Sequence, residues 1–142
     1  MLYDAYQRRL IIDHCWWIYD LITETFDVPH RFHLEFPSLV ELALTSGYLQ
    51  LYVEISRKGH LLHILEEYDL HDYEFVTRVY SYNLLDKSEH SIIRADPLPH
   101  HQIDYRRHKL THFPHHLHDE RGRVCSFSGL LEDFVKRSVA IL

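Results

Sequence analysis

The sequence YLQLYVEI at residues 48–55 alternates large apolar side chains with polar or aromatic ones. A period of two residues is typical of a half-buried β-strand. Three further runs follow, at 60–68, 74–86 and 90–95, separated by short turns, and the run at 74–86 is rich in aromatic and β-branched residues. Successive strands joined by short turns predict an antiparallel four-stranded meander.

Helical periodicity flanks these strands on both sides. Apolar residues recur at helical spacing within 3–26 and again within 127–141. A short extended piece at 31–36 and a short helix after Pro37 complete the N-terminal part. The sequence therefore predicts an α+β fold in which N-terminal helices and a C-terminal helix pack on the sheet.

Length and composition indicate one folded unit. A chain of 142 residues can bury its own core, so we expect a single domain, with 1–46 as a helical N-terminal extension and 47–142 as sheet, histidine-rich segment and C-terminal helix. Cys15 and Cys125 lack C-x-x-C spacing, which suits free thiols in a reducing compartment. No signal peptide or membrane segment is evident, and we expect a cytoplasmic protein.

Charge is distributed unevenly along the chain. Residues 1–93 carry seven Lys and Arg against fifteen Asp and Glu, whereas 94–123 carry six against four. The second segment is therefore positive within a chain of formal net charge −6. An anionic ligand such as RNA would be attracted there. The acidic remainder argues against sequence-blind coating of nucleic acid and suits a basic protein partner.

The positive segment also concentrates histidine. The sequence RADPLPHHQIDYRRHKLTHFPHHLH at 94–118 holds seven of the fourteen histidines, five of them in two groups that each follow a proline, PHH at 99–101 and PHHLH at 114–118. Histidine has the side-chain pKa nearest neutrality, so it can exchange protons or bind a metal ion. The prolines disfavour helix. The sequence predicts an extended, irregular functional segment here.

Two histidine groups could cleave RNA without a cofactor. One imidazole would remove the proton of the 2′-hydroxyl, another would protonate the leaving oxygen, and cations would stabilise charge on the phosphate. The candidate catalytic residues, including a carboxylate that could orient a histidine, are His100, His101, His115, His116, His118 and Asp96. The candidate RNA-binding residues are Arg94, Arg106, Arg107, Lys109 and Tyr82. We expect His101, His116 and His118 to lie closest to the reaction.

Two other interpretations stay open. The histidines could be structural, each ring hydrogen-bonded to a backbone carbonyl at the end of the sheet. They could instead hold zinc or nickel, because His116 and His118 are two apart and share one face of an extended segment. His100 or His101 would complete three nitrogens. The spacing matches no established zinc signature, so we expect a metal-independent reaction and no cofactor.

Three blocks in this region resemble a known family. They are YSY with Asp86 within 80–86, RADPLPHH at 94–101 and FPHHLH at 113–118. In this order they resemble the TumE-type toxin family of bacterial and archaeal toxin–antitoxin pairs, over about 47–142. The chain departs from the family pattern at Asn83, where histidine is typical, and at Pro97, where asparagine is usual.

The resemblance implies a toxin that arrests growth, cleaves RNA and is neutralised by a helix-turn-helix antitoxin encoded next to it. We therefore expect an endoribonuclease whose partners are RNA and that antitoxin, with no membrane partner. The alternative function is a non-catalytic binding protein or metal-binding module acting through the histidines. The tandem Trp16-Trp17 favours an interface in the first helix, with the antitoxin or a second copy of the chain.

Other polar residues are expected to be structural. His14 is expected to pack within the first helix, and Glu66-Glu67 to lie in a solvated turn. No G-x-G-x-x-G, Walker or G-x-S-x-G motif occurs, so nucleotide-driven and acyl-transfer chemistry have no support in the sequence.

Overall fold

Two helices and seven strands make up the part of the chain that the structure describes. The computed structural model describes residues 5–26, 31–35, 46–71 and 74–142. In chain order the elements are α1 (Ala5–Thr25), β1 (Arg31–Glu35), β2 (Ser46–Glu54), β3 (Leu61–His71), β4 (Glu74–Leu85), β5 (Ser91–Asp96), β6 (His116–His118), β7 (Val124–Ser126) and α2 (Leu131–Ile141).

The described strands form one antiparallel sheet in the order β1-β2-β3-β4-β5-β6-β7. Each strand pairs with its neighbours in the chain, so the sheet is an up-and-down meander. The α+β class and the antiparallel sheet flanked by an N-terminal and a C-terminal helix are confirmed. The four-stranded count is wrong, because β1 extends the sheet beyond β2 and the short β6 and β7 extend it beyond β5.

Tight turns between the long strands hold the meander in register. The β2–β3 turn uses Gly59 at φ 85°, a conformation that glycine adopts without strain. In the β4–β5 turn the Asp86 Oδ1 atom accepts hydrogen bonds from the backbone N–H groups of Ser88 and His90, at 2.8 and 2.9 Å. Such side-chain acceptors stabilise a turn locally.

Both helices cover the same face of the sheet. Alternate residues of β2 to β5 point toward them, and these side chains form the core with one apolar stripe from each helix. The core residues include Ile18, Ile22, Leu49, Leu51, Val53, Leu62, Ile64, Leu84, Ile93, Ala95, Leu117, Phe134 and Val135. The N-terminal part is therefore integrated with the sheet: α1 supplies core side chains and β1 supplies an edge strand.

Two predicted helices differ from the structure or lie outside it. The C-terminal helix begins at Leu131 rather than at 127, after Gly129 takes φ 84° and breaks the helical path. The helix predicted after Pro37 lies outside the described residues, except that Ser46 begins β2. The extended piece at 31–36 is confirmed as β1.

Candidate functional site

The pairing of β5 with β6 creates the platform of the site. Ala95 faces Leu117 in the core, whereas the flanking pairs are Arg94 with His118 and Asp96 with His116. Since successive side chains of a strand point to opposite faces, these four polar residues lie on the face away from the helices.

The connection between β5 and β6 brings two more histidines onto this platform. His100 and His101 follow β5 closely, and the backbone N–H of Leu98 donates a 2.9 Å hydrogen bond to Asp96 Oδ1, which turns the chain back over the strand. The ring centroids of His100 and His101 lie 4.9 and 5.0 Å from that of His116. Members of both sequence groups therefore lie side by side, His100 and His101 from the first and His116 and His118 from the second.

We call His100, His101, His116 and His118 the four-histidine cluster. One ring nitrogen from each lies within 4.8 Å of one from every other member. The six centroid separations run from 4.2 Å, between His100 and His101, to 6.4 Å, between His100 and His118. Imidazoles this close can share one ligand.

His116 is the buried centre of the cluster, with 0% exposure. Its Nδ1 donates to the carbonyl oxygen of Pro114 at 3.1 Å, so in the neutral ring Nε2 carries the lone pair. This Nε2 has no hydrogen-bond partner within the described residues, and neither has the buried Nε2 of His118. Buried polar atoms are nearly always paired, so two unpaired nitrogens in one cluster call for an explanation.

The surroundings of the cluster favour neutral imidazoles. Burial lowers the pKa of His101, and the neighbouring His100 and His116 lower it further. Burial also lowers the pKa of His118, and the positive charge of Arg94 adds to that effect. Neutral rings leave lone pairs available to accept a proton or to bind a cation.

Open space adjoins the cluster on the side of Arg94. A cavity of about 300 Å³ is lined by Arg94 and His118, together with Asp119 and Gly122. Arg94 and His100 are exposed, His101 and His118 are half-buried, and His116 is sealed beneath them. A ligand approaching from solvent would meet Arg94, His100 and His101 first.

His115 and Tyr82, two of the expected site residues, lie on the other face of the sheet. The Tyr80 hydroxyl and His115 Nδ1 are hydrogen-bonded at 2.8 Å, and burial lowers the pKa of this histidine. Tyr82 is only 3% exposed and stacks on Tyr80 in the core. Neither residue is part of the cluster, and Tyr82 presents no free ring on which a base could stack.

The residues between the two histidine groups, which carry Arg106, Arg107 and Lys109, form a separate hairpin. Ile103 pairs with Lys109, and the backbone of Tyr105 donates to the Val124 carbonyl of β7 at 2.9 Å. Arg106 and Arg107 lie at the exposed tip, where Arg107 takes φ 65°. The structure thus places these two arginines and Lys109 beside β7, and of the expected RNA-binding residues only Arg94 lies in the cluster's own surroundings.

A buried polar group on the helix-covered face was not expected. Glu66 is 1% exposed and accepts hydrogen bonds from Thr77 and Tyr82, at 2.9 and 3.3 Å. Its Oε2 also lies 2.8 Å from Nε2 of His14 in α1. The solvated-turn interpretation of Glu66 is therefore wrong. The alternation of β3, which aligns Glu66 with Leu62 and Ile64, was the signal that could have found it.

Comparisons with known proteins do not assign the chain to a family. No family model matches the chain, no curated protein matches it, and no solved structure matches it. No helix in the described ranges is long and apolar enough to span a membrane. The TumE-type resemblance stays a prediction from the sequence blocks.

Proposed function

We propose that this chain is the toxin of a toxin–antitoxin pair and cleaves RNA at the four-histidine cluster without requiring a metal ion. The observation that carries the proposal is the convergence of two histidine groups, distant in sequence, beside Arg94 on the sheet face away from the helices. Several imidazoles and one guanidinium beside open space are the groups that phosphodiester cleavage needs.

The reaction would use the two rings that solvent reaches, those of His100 and His101. A neutral imidazole of His100 or His101 removes the proton of a 2′-hydroxyl, whose oxygen then bonds to the adjacent phosphorus. The bond from phosphorus to the 5′ oxygen breaks, and a protonated imidazole gives that oxygen its proton. The products are a 2′,3′-cyclic phosphate and a free 5′-hydroxyl, so no oxidant or water enters this step.

Arg94 and His116 would have supporting roles. The guanidinium of Arg94 is exposed beside His118 and would hold the phosphate while negative charge develops on its oxygens. His116 is fully buried and does not reach RNA, so it would position the exposed rings rather than exchange protons with substrate. The hairpin cations Arg106, Arg107 and Lys109 would attract the flanking RNA backbone.

A cleavage assay in chelator-treated buffer tests the proposal. Wild-type protein should cut single-stranded RNA, and His100→Ala and His101→Ala should each lower the rate by about 100-fold, the scale of one acid or base group. His112→Ala is the matched control, because His112 is exposed in the same loop but outside the cluster. Unchanged cleavage in both cluster variants, or no cleavage by the wild type, would remove the proposal.

The non-catalytic alternative predicts a different pattern. A toxin that acts by occupying RNA would still arrest growth in both cluster variants, provided that Arg94 and the hairpin cations are intact. Growth arrest and RNA binding measured beside cleavage therefore separate the two functions. Loss of arrest in the His101→Ala variant with RNA binding retained supports catalysis.

The proposed antitoxin would bind the exposed side of α1. Trp16 and Trp17 are 58% and 41% exposed, and Ile12 is exposed beside them. Large aromatic side chains on a surface are typical of protein interfaces. Co-expression with the helix-turn-helix protein of the neighbouring gene should yield a complex with the wild type and none with Trp16→Glu. A complex that persists in this variant would place the interface elsewhere.

A further inference from the structure

We propose that the four-histidine cluster is a binding site for one divalent transition-metal ion, and that zinc fits it best. The proposal concerns the same side chains as the RNA-cleavage proposal, but it depends on different observations. Metal binding is measured without RNA, so either proposal can fail while the other stands.

The first observation is the arrangement of the nitrogens. Zinc bonds to imidazole nitrogen at about 2.0–2.1 Å, which places tetrahedral donors about 3.3 Å apart. The four donor nitrogens here lie within 4.8 Å of one another. His100 and His101 lie on a loop and keep exposed surface, so their rings are the ones that would turn to bring the four nitrogens closer around an ion.

The second observation is the unpaired state of two buried nitrogens. Among the residues that the structure describes, the Nε2 atoms of His116 and His118 have no hydrogen-bond partner, and Nε2 of the neutral His116 ring carries the lone pair because Nδ1 donates to Pro114. A ring nitrogen that donates to a backbone carbonyl while the other stays free is the usual state of a metal-binding histidine. One cation would satisfy both buried nitrogens.

The third observation is the nearby charge. Asp96 Oδ1 lies 3.6 Å from His116 Nε2, and this carboxylate is only 15% exposed. Four neutral imidazoles add no charge of their own, so a bound divalent ion would leave two positive charges. Asp96 would offset one of them beside the buried His116, whereas Arg94 adds a positive charge beside His118 at the exposed side of the cluster.

The nature of the donors selects the class of ion. Four imidazole nitrogens suit zinc, copper and nickel, whereas magnesium and calcium require oxygen ligands. Zinc accepts tetrahedral coordination without a preference from its d electrons. With four protein ligands the coordination is complete, so no position is left for a zinc-bound water.

Equilibrium dialysis against zinc tests the proposal. The protein is purified without a metal-affinity column, stripped with chelator, and titrated with Zn²⁺, with Co²⁺ as a spectroscopic probe of tetrahedral geometry. We expect one zinc per chain at a dissociation constant below about 1 µM. Loss of a hydrogen-bond partner of a ligand costs about 10–100-fold in affinity, so loss of a ligand should cost about 100-fold or more.

The variants are chosen to keep the fold intact. His100→Ala removes an exposed ring, and His118→Ala removes a half-buried one. The exposed His112 again provides the control, as His112→Ala, and thermal unfolding of each metal-free variant confirms folding. Equal zinc affinity in wild type, His100→Ala and His118→Ala would overturn the proposal, as would a wild type that binds no zinc.

Discussion

Nε2 of His116 lies 3.6 Å from Oδ1 of Asp96, its partner across the β5–β6 pair. This distance is too long for a direct hydrogen bond, yet among the described residues Asp96 is the acidic residue found within 4 Å of the buried ring. The same Oδ1 accepts the backbone N–H of Leu98, which turns the chain toward His100 and His101. The same Asp96 carboxylate therefore places a negative charge beside His116 and helps to fix the turn that leads to His100 and His101.

Asp96→Asn should weaken zinc binding by about 10–100-fold, because the amide keeps the Leu98 hydrogen bond but removes the negative charge beside the bound cation. Asp104→Asn is a close control, since Asp104 also caps a turn through backbone N–H groups but lies in the exposed hairpin. Equal dissociation constants for the two variants, measured by dialysis, would argue against a metal near Asp96.

Zinc should inhibit RNA cleavage if both proposals hold. An imidazole whose lone pair is bound to a metal can no longer accept a proton, and four ligands leave no site for an activated water. At a free zinc concentration of 100 times the dissociation constant, about 1% of the activity should remain, by mass action. Chelator should restore it. A rate that rises with zinc would instead indicate Lewis-acid catalysis at an incomplete site.

The sheet could be predicted from the sequence because its long strands carry a clear period of two. β6 and β7 could not, since each has three residues and takes its place only by pairing with β5 or with each other. Within PHHLH the same period does predict that His116 and His118 share a face and that His115 lies on the opposite one. From the sequence, His115, His116 and His118 are all candidate catalytic residues. Alternation along the strand would have separated His115 from the other two.

The buried Glu66 shows a different limit. Its position on the apolar face of β3 follows from alternation, but a carboxylate is placed in a core only when partners are available. One of these partners is His14, whose contact with Glu66 joins residues 52 positions apart. A contact at that separation depends on how α1 crosses the sheet, which no local pattern specifies.

Glu66→Ala should lower the free energy of unfolding by roughly 3 kcal/mol, because it leaves His14, Thr77 and Tyr82 without their buried acceptor. Chemical denaturation measures the change. Glu67→Ala, at the adjacent and exposed position, should stay within about 0.5 kcal/mol of the wild type. Similar losses in the two variants would mean that Glu66 is not buried in solution.

Cys15 should react slowly with alkylating reagents. Burial, and then the negative charge of Glu66, raise its pKa from 9.0 to about 11. The reactive thiolate at pH 8 is therefore about 100-fold scarcer than in the unfolded chain, and the rate should keep rising tenfold per pH unit above 9. Mass spectrometry of alkylated peptides follows this residue separately from Cys125. A rate that levels off near pH 9 in the folded protein would contradict the shift.

Alanine substitutions at Gly129 and Gly122 form a matched pair that tests how tightly the His115 ring is packed. Both have positive φ, 84° and 74°, but a Cβ added at Gly129 would lie 2.7 Å from Nδ1 and Cε1 of His115, whereas none of the described atoms lies within 4 Å of one at Gly122. Gly122→Ala should cost about 1–2 kcal/mol of unfolding free energy through backbone strain alone.

Gly129→Ala should cost about 1–3 kcal/mol more than Gly122→Ala, because the His115 ring is held by its 2.8 Å hydrogen bond with Tyr80 and must move away from the added methyl group. Denaturant unfolding of both variants gives the difference directly. Zinc affinity should not change in the Gly129 variant, since His115 lies across the sheet from the four-histidine cluster. Equal destabilisation by the two substitutions would show that the His115 ring is free to move, and a loss of zinc affinity would show that the two faces are coupled.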